Sequence, residues 1–225
     1  MPFTKAQSSE DVKTPTADEW RTFLKFTLNE DDPNDPMPGK ISPQSKKTSA
    51  RLRHRRVIEL TQLQLATGLR ISEAIGIRWR DVVADENGVV WITVSSTLSK
   101  TKIARTVPIL VPEVATNLQH RRGLDEEPVI PQPTSQKFWD RSGAGKAVRE
   151  YYAGLAKTKG FDFLEKNRSH VWRKTLTTAT KALLPPHVQA AYFGHSIETS
   201  NRSYTASINV RPVISASQNL LNDTE

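Results

Sequence analysis

TGLRISEAIGIRW, residues 67–79, is the stretch on which the fold turns. Gly68 stands just after a run in which Leu52, Val57, Leu60 and Leu63 recur at helical spacing, and glycine lets a helix end in the left-handed conformation. The pattern predicts a basic helix from about Lys47, stopped at Gly68, and a second, shorter helix from about Arg70 to Arg78. Working outward, Thr16 and Glu19 form a capping box ahead of Trp20, Phe23, Leu24 and Leu28, so the first ordered element begins at Thr16. Met1 to Lys13 is polar and unpatterned, a disordered arm or linker over residues 1–13. Asp31 to Ser49 collects four prolines among acidic and small polar residues, which suits an exposed loop.

Downstream, Asn87-Gly88 is a turn signal and Val89 to Val94 is a β-branched, aromatic run of strand type. Thr97 to Leu110 reads as a hairpin whose tip holds Lys100 and Lys102. Helical patterns then cover about Pro112 to Arg122, Gly145 to Lys157, Ser169 to Leu183 and Pro186 to Phe193, the last closed by Gly194. The chain therefore reads as mainly α with one small antiparallel β-sheet.

At 225 residues there is length enough for a real core. Lys plus Arg number 32 against 24 Asp plus Glu, a net charge of +8 that favours a polyanionic partner. Absence of cysteine removes disulfides, thiolate zinc sites and a cysteine nucleophile together. No apolar run approaches bilayer-spanning length and the first residues lack a signal-peptide core, so the expectation is a soluble, cytoplasmic protein with no membrane partner.

Four segments carry chemistry-bearing residues. Arg70 lies in TGLRISEAIGIRW; Lys100 and Lys102 in SKTKIARTVPIL (99–110); His170 and Arg173, three apart on one helix face, in SHVWRKT (169–175); His195 and Tyr204 in GHSIETSNRSYT (194–205). Singly, each suits an ordinary surface or packing residue. In this order, arginine, hairpin lysine, His-x-x-Arg, Gly-His and tyrosine resemble the tyrosine recombinase (phage integrase) family.

The resemblance runs from Thr16 to just past Tyr204 and implies a catalytic domain over residues 14–208, of the fold that such recombinases share with type IB topoisomerases. It implies Arg70, Lys100, His170, Arg173, His195 and Tyr204 as the catalytic set, with Glu73 a structural partner of Arg70. Two departures stand out: Lys174 replaces the histidine that often follows the second arginine, and Pro185-Pro186 replaces a common glycine turn. The implied reaction is metal-independent cleavage and rejoining of double-stranded DNA through a 3'-phosphotyrosine. A type IB topoisomerase, or a non-catalytic DNA-binding module of the same fold, is the alternative.

The residue types suit that chemistry. Two guanidiniums stay charged and present planar forks to phosphate oxygens, while a phenol with an ordinary pKa near 10 needs a base or a positive field before it attacks. His170 is the candidate to take its proton, His195 to donate to a phosphate oxygen, and Lys100 to protonate the departing 5'-oxygen. No acidic cluster has metal-ligand spacing, so neither a metal nor another cofactor is expected. Lys46, Lys47, Arg51, Arg53, Arg55 and Arg56, with Lys102, are the candidates for DNA-backbone contact. Residues 209–225 hold Val210, Val213, Ile214, Leu220 and Leu221, and the resemblance implies a tail that docks on a neighbouring protomer within a tetramer on paired DNA.

Overall fold

Two left-handed glycines pin the frame. In the computed structural model, which describes residues 14–30, 46–165, 169–194 and 210–221, Gly68 has φ +65° and Gly194 φ +58°, and each ends a helix where the sequence expects it. Helix α1 (Ala17–Glu30) starts on the anticipated box: the Thr16 N–H donates to Glu19 Oε2 at 2.7 Å and the Glu19 N–H to Thr16 Oγ1 at 3.2 Å. Helix α2 (Lys46–Thr67) follows and carries the central apolar face. The proline-rich loop falls mostly within 31–45, and the N-terminal arm within 1–13, both outside the described residues.

Helix α3 is a single turn, Ile71–Ala74, shorter than the spacing predicts. The chain leaves it at Gly76, and Arg78 then forms an isolated antiparallel bridge with Pro128, which pulls the backbone out of helical geometry. A short 3₁₀ turn at Trp79–Asp81 leads into β1 (Val82–Ala84), then β2 (Val90–Val94) and β3 (Arg105–Pro108). All pairings are antiparallel in the order β1-β2-β3, with Val82 opposite Ile92 and Val94 opposite Arg105. The hairpin is thus β2 with β3, and not a structure contained within Thr97 to Leu110. Residues 95–104 are its connection, built from turns, and Lys102 there has φ +59°. Lys100 and Lys102 therefore do not lie on a regular strand.

Helices α4 (Pro112–His120), α5 (Arg141–Lys159), α6 (Val171–Thr180) and α7 (Pro186–Phe193) complete the core with α8 (Pro212–Leu221). Pro186 sits at the first turn of α7, where a missing N–H loses nothing, so the double proline starts a helix instead of a glycine turn. Helix α5 begins earlier than expected because Asp140 accepts the Gly143 N–H at 2.7 Å, a cap that offsets the glycines behind it. An aromatic cluster anchors α6: Trp172 stacks on Phe23 at 4.9 Å between ring centres and donates its indole N–H to Tyr152 Oη at 2.6 Å.

Within this single chain α8 lies on its own α6 and α1, with Val213 and Ser217 buried. Just before it, Arg211 pairs with Asp85 at 2.6 Å and lies over the Trp91 ring. No helix among the described residues is long and apolar enough to cross a membrane.

Candidate active site

Glu73 is the hub. Its carboxylate is fully buried and accepts from Arg70 Nη1 at 3.0 Å, from the Arg70 backbone N–H at 2.9 Å, and from a two-pronged Arg105 fork at 2.8 and 3.2 Å. Burial alone would raise its pKa. The hydrogen bonds and charge of Arg105, then those of Arg70, outweigh burial and hold the carboxyl below its ordinary 4.5. Arg70 is thereby fixed at the start of α3, with part of its side chain still open to solvent.

Arg173 arrives from α6, immobilised by the aromatic cluster beside it. Its guanidinium is buried, donates to the Gly68 carbonyl at 3.1 Å and to the Phe193 carbonyl, and lies over the Phe193 ring. Both acceptors belong to helix C-terminal ends, where the backbone dipole favours a cation. Burial, helped by the neighbouring charge of Arg70, lowers Arg173 from 12.5 to about 9, which leaves it protonated at neutral pH.

His170 caps α6 with an exposed edge. Loss of water from its inner side, then the charges of Arg173 and Arg70, and also that of Lys100, hold its imidazolium pKa below 6.5 against the opposing pull of Glu73. At neutral pH the ring is neutral and able to accept a proton. The fold thus converges Arg70, His170, Arg173 and the Lys100 connection on one locus. His195 and Tyr204 lie outside the described residues.

Arg105 is absent from the sequence-derived site. It donates through Nε to the Tyr192 carbonyl at 3.0 Å as well as to Glu73, so it ties β3 to both α3 and α7. A side chain on Gly194 would come within 2.9 Å of Arg105 Nη1, so the glycine provides room as well as its positive φ. Nothing local in RTVP flags this role, since the carboxylate partner is 32 positions away.

The basic run does not present one face. Successive helix residues turn by about 100°, so Arg53 and Arg55 fall on nearly opposite sides of α2. Arg53 pairs with Glu150 of α5 at 2.6 Å. Arg55 and Arg56 turn onto buried Glu59, at 3.3 and 2.6 Å, where Arg121 joins them at 3.2 Å. Arg51 is exposed, as are Lys100 and Lys102, whereas the side chains of Lys46 and Lys47 lie outside the described residues. Substitutions separate the two groups. Arg56→Ala is expected to lower unfolding free energy by about 2 kcal/mol, below the ~3–5 kcal/mol for breaking a buried pair outright because Arg55 and Arg121 still face Glu59, with an unchanged slope of log K for DNA against log salt. Arg51→Glu is expected to reduce that slope by about one unit, and equal slopes for both variants would contradict the division.

Tyrosine availability also narrows. There are four tyrosines. Tyr192 is buried and donates to the Thr67 carbonyl at 2.9 Å; Tyr152 is buried against Trp172 and raised to about 12; and Tyr151 donates to Glu30 at 3.1 Å. Burial raises Tyr151 and Tyr192 further still. None of the three has a phenol free to attack. Among the described residues no group of three or more metal-ligating side chains converges.

Two guanidiniums held on fixed carbonyl and carboxylate anchors stand beside a neutral imidazole, a combination whose chemistry suits an anion with several oxygens. The chain belongs to the phage integrase family: the family model described as Phage integrase family matches residues 40–210. It is accordingly a tyrosine recombinase catalytic domain of a family that acts on DNA. No curated protein and no solved structure matches it. The matched stretch begins beyond α1, which nevertheless packs on α2, α6 and α8.

Proposed function

We propose that the chain is a site-specific DNA recombinase that cleaves and rejoins strands through a phosphotyrosine on Tyr204. The observation that carries this reading is the convergence of Arg70, Arg173 and a neutral His170 around buried Glu73, with the other three tyrosines committed to internal contacts. Arg70 and Arg173 hold the non-bridging oxygens of the scissile phosphate, which gain negative charge as the phosphorus is attacked. The Tyr204 phenol oxygen forms the new bond to phosphorus while its proton passes to His170. The bond from phosphorus to the 5'-oxygen breaks, and Lys100 gives that oxygen a proton. His195 donates a hydrogen bond to the phosphate. Attack by a 5'-hydroxyl of another strand reverses these transfers and releases Tyr204, so rejoining needs no ATP. Strand exchange then pairs two DNA sites, with four protomers assembled on them; for residues 209–225 to link neighbours there, α8 would leave its seat on α6 and α1 of its own chain.

Replacing the bridging 5'-oxygen by sulfur tests the division of labour. A thiolate leaves without a proton because thiols are stronger acids than alcohols by several pKa units. Lys100→Ala is expected to be slow on the ordinary substrate and near wild-type on the sulfur one, whereas Arg173→Ala stays slow on both. Rescue of Lys102→Ala in place of Lys100→Ala moves the acid to Lys102. Rescue of neither removes the hairpin connection from the chemistry.

A further inference from the structure

Gln64 is wholly buried on α2, yet it is neither apolar nor part of any ion pair. Its Nε2 donates to two carbonyls, that of Leu69 at 3.0 Å and that of Ser169 at 3.1 Å. Those residues immediately precede Arg70 and His170. The two carbonyls are 100 residues apart in sequence (169 − 69) and belong to segments leading into different helices, α3 and α6. One amide nitrogen therefore joins the two backbone segments that present the site's first arginine and its histidine.

The direction of the amide is settled by its surroundings, because carbonyl oxygens only accept and only the NH₂ end can face both of them. Its Oε1 is buried and accepts no hydrogen bond among the described residues. That is an unfavourable way to fill core volume, and a leucine would occupy similar space without the unpaired oxygen. What the amide supplies and leucine cannot is the pair of N–H bonds.

We infer that Gln64 is a positioning residue that sets where His170 stands relative to Arg70. It touches no reacting atom and acts through the Leu69 and Ser169 backbones. The catalytic consequence rests on the recombinase reading above, whereas the positional one does not. The charged groups that act on His170 are Arg173 on α6, Arg70 and Glu73 at α3, and Lys100 from the β2–β3 connection. If the Ser169 carbonyl is released, His170 moves out from among them and becomes better hydrated, and its pKa rises.

The experiment follows the histidines of the full chain by NMR titration in wild type, Gln64→Leu and Gln64→Met. The His170 midpoint is expected to move upward toward its ordinary 6.5 in whichever variant folds, and to move more than that of any other histidine. An unmoved His170, or an equal movement of all the histidines, overturns the inference. So does failure of both variants to fold, which would make the amide a plain requirement of the core. In parallel, cleavage of a nicked suicide duplex is expected to slow roughly tenfold or more in Gln64→Leu, with no further loss when the same change is made in a His170→Ala background. Equal losses in the two backgrounds would mean that Gln64 does not act through His170. Absence of any covalent adduct in wild type would remove the recombinase reading, and the titration would still decide the placement of His170.

Discussion

Tyr204→Phe is expected to form no covalent adduct with a nicked suicide duplex while binding it within about twofold of wild type, because only the attacking oxygen is lost. The wild-type chain is expected to form that adduct with EDTA present, since charge on the phosphate is met by Arg70 and Arg173. The measurement is a denaturing gel of labelled duplex after incubation, together with an affinity measured on the same duplex. Tyr192, whose hydroxyl is engaged with the Thr67 carbonyl, offers no substitute, and Tyr192→Phe is expected to retain the adduct. An adduct surviving in Tyr204→Phe overturns the assignment of the nucleophile. Loss of cleavage in EDTA with recovery in magnesium overturns the reaction class.

Glu73→Gln is expected to be the most destabilising single change near the site, by about 3–5 kcal/mol, the range found when one partner of a buried ion pair is removed. Arg70 and Arg105 would then face each other's charge across a neutral amide, and Arg105 would lose the partner that ties β3 to α3. Cleavage should fall with stability, since no other anchor of comparable burial holds Arg70 among the described residues. The pH dependence has a definite sign. In the folded chain Glu73 ionises below its ordinary 4.5, so its contribution is fully present above 4.5 and fades as pH falls through the lower folded value. The stability gap between wild type and Glu73→Gln should therefore be widest at neutral pH and narrow progressively below pH 4.5, as read by denaturant midpoints across that range. A constant gap would mean that the carboxylate charge is not what holds the hub.

Much of this architecture was legible in the linear sequence, and the parts that were not have physical causes. Glycine stops at Gly68 and Gly194, and the box at Thr16, announce themselves because each satisfies a local backbone need. Strand β1 does not, since only Val82 of its three residues faces inward and alternation has no length in which to show. Helix α5 hides its start behind Gly143 and Gly145, which lower helix propensity while the Asp140 cap compensates. In the site, Arg70, His170 and Arg173 were readable as a set, but Arg105 was not, because a buried counter-ion 32 positions away leaves no local trace. The angular spread of the basic run on α2 follows from its spacing. The pairs of Arg55 and Arg56 with Glu59 lie within one helix at i,i+4 and i,i+3 and are open to the same reading, whereas Arg53 with Glu150 and Arg121 with Glu59 are visible only once α2, α4 and α5 are packed.

Helix α8, seated on α6 and α1 and fastened by Arg211 to Asp85, also sets the length of a leash. Tyr204 lies ten positions after Gly194 and six before Val210, both of which belong to the packed body. A fully extended chain covers about 3.5 Å per residue, so six residues allow the phenol-bearing backbone to stray at most about 21 Å from Val210, against about 35 Å from Gly194 alone. With α8 in place the shorter leash governs. Lifting α8 from its own domain would relax that upper bound from about 21 Å to about 35 Å. On the proposed assignment of Tyr204, the seat of this last helix on its own core therefore bounds the reach of the nucleophile as well as contributing to stability.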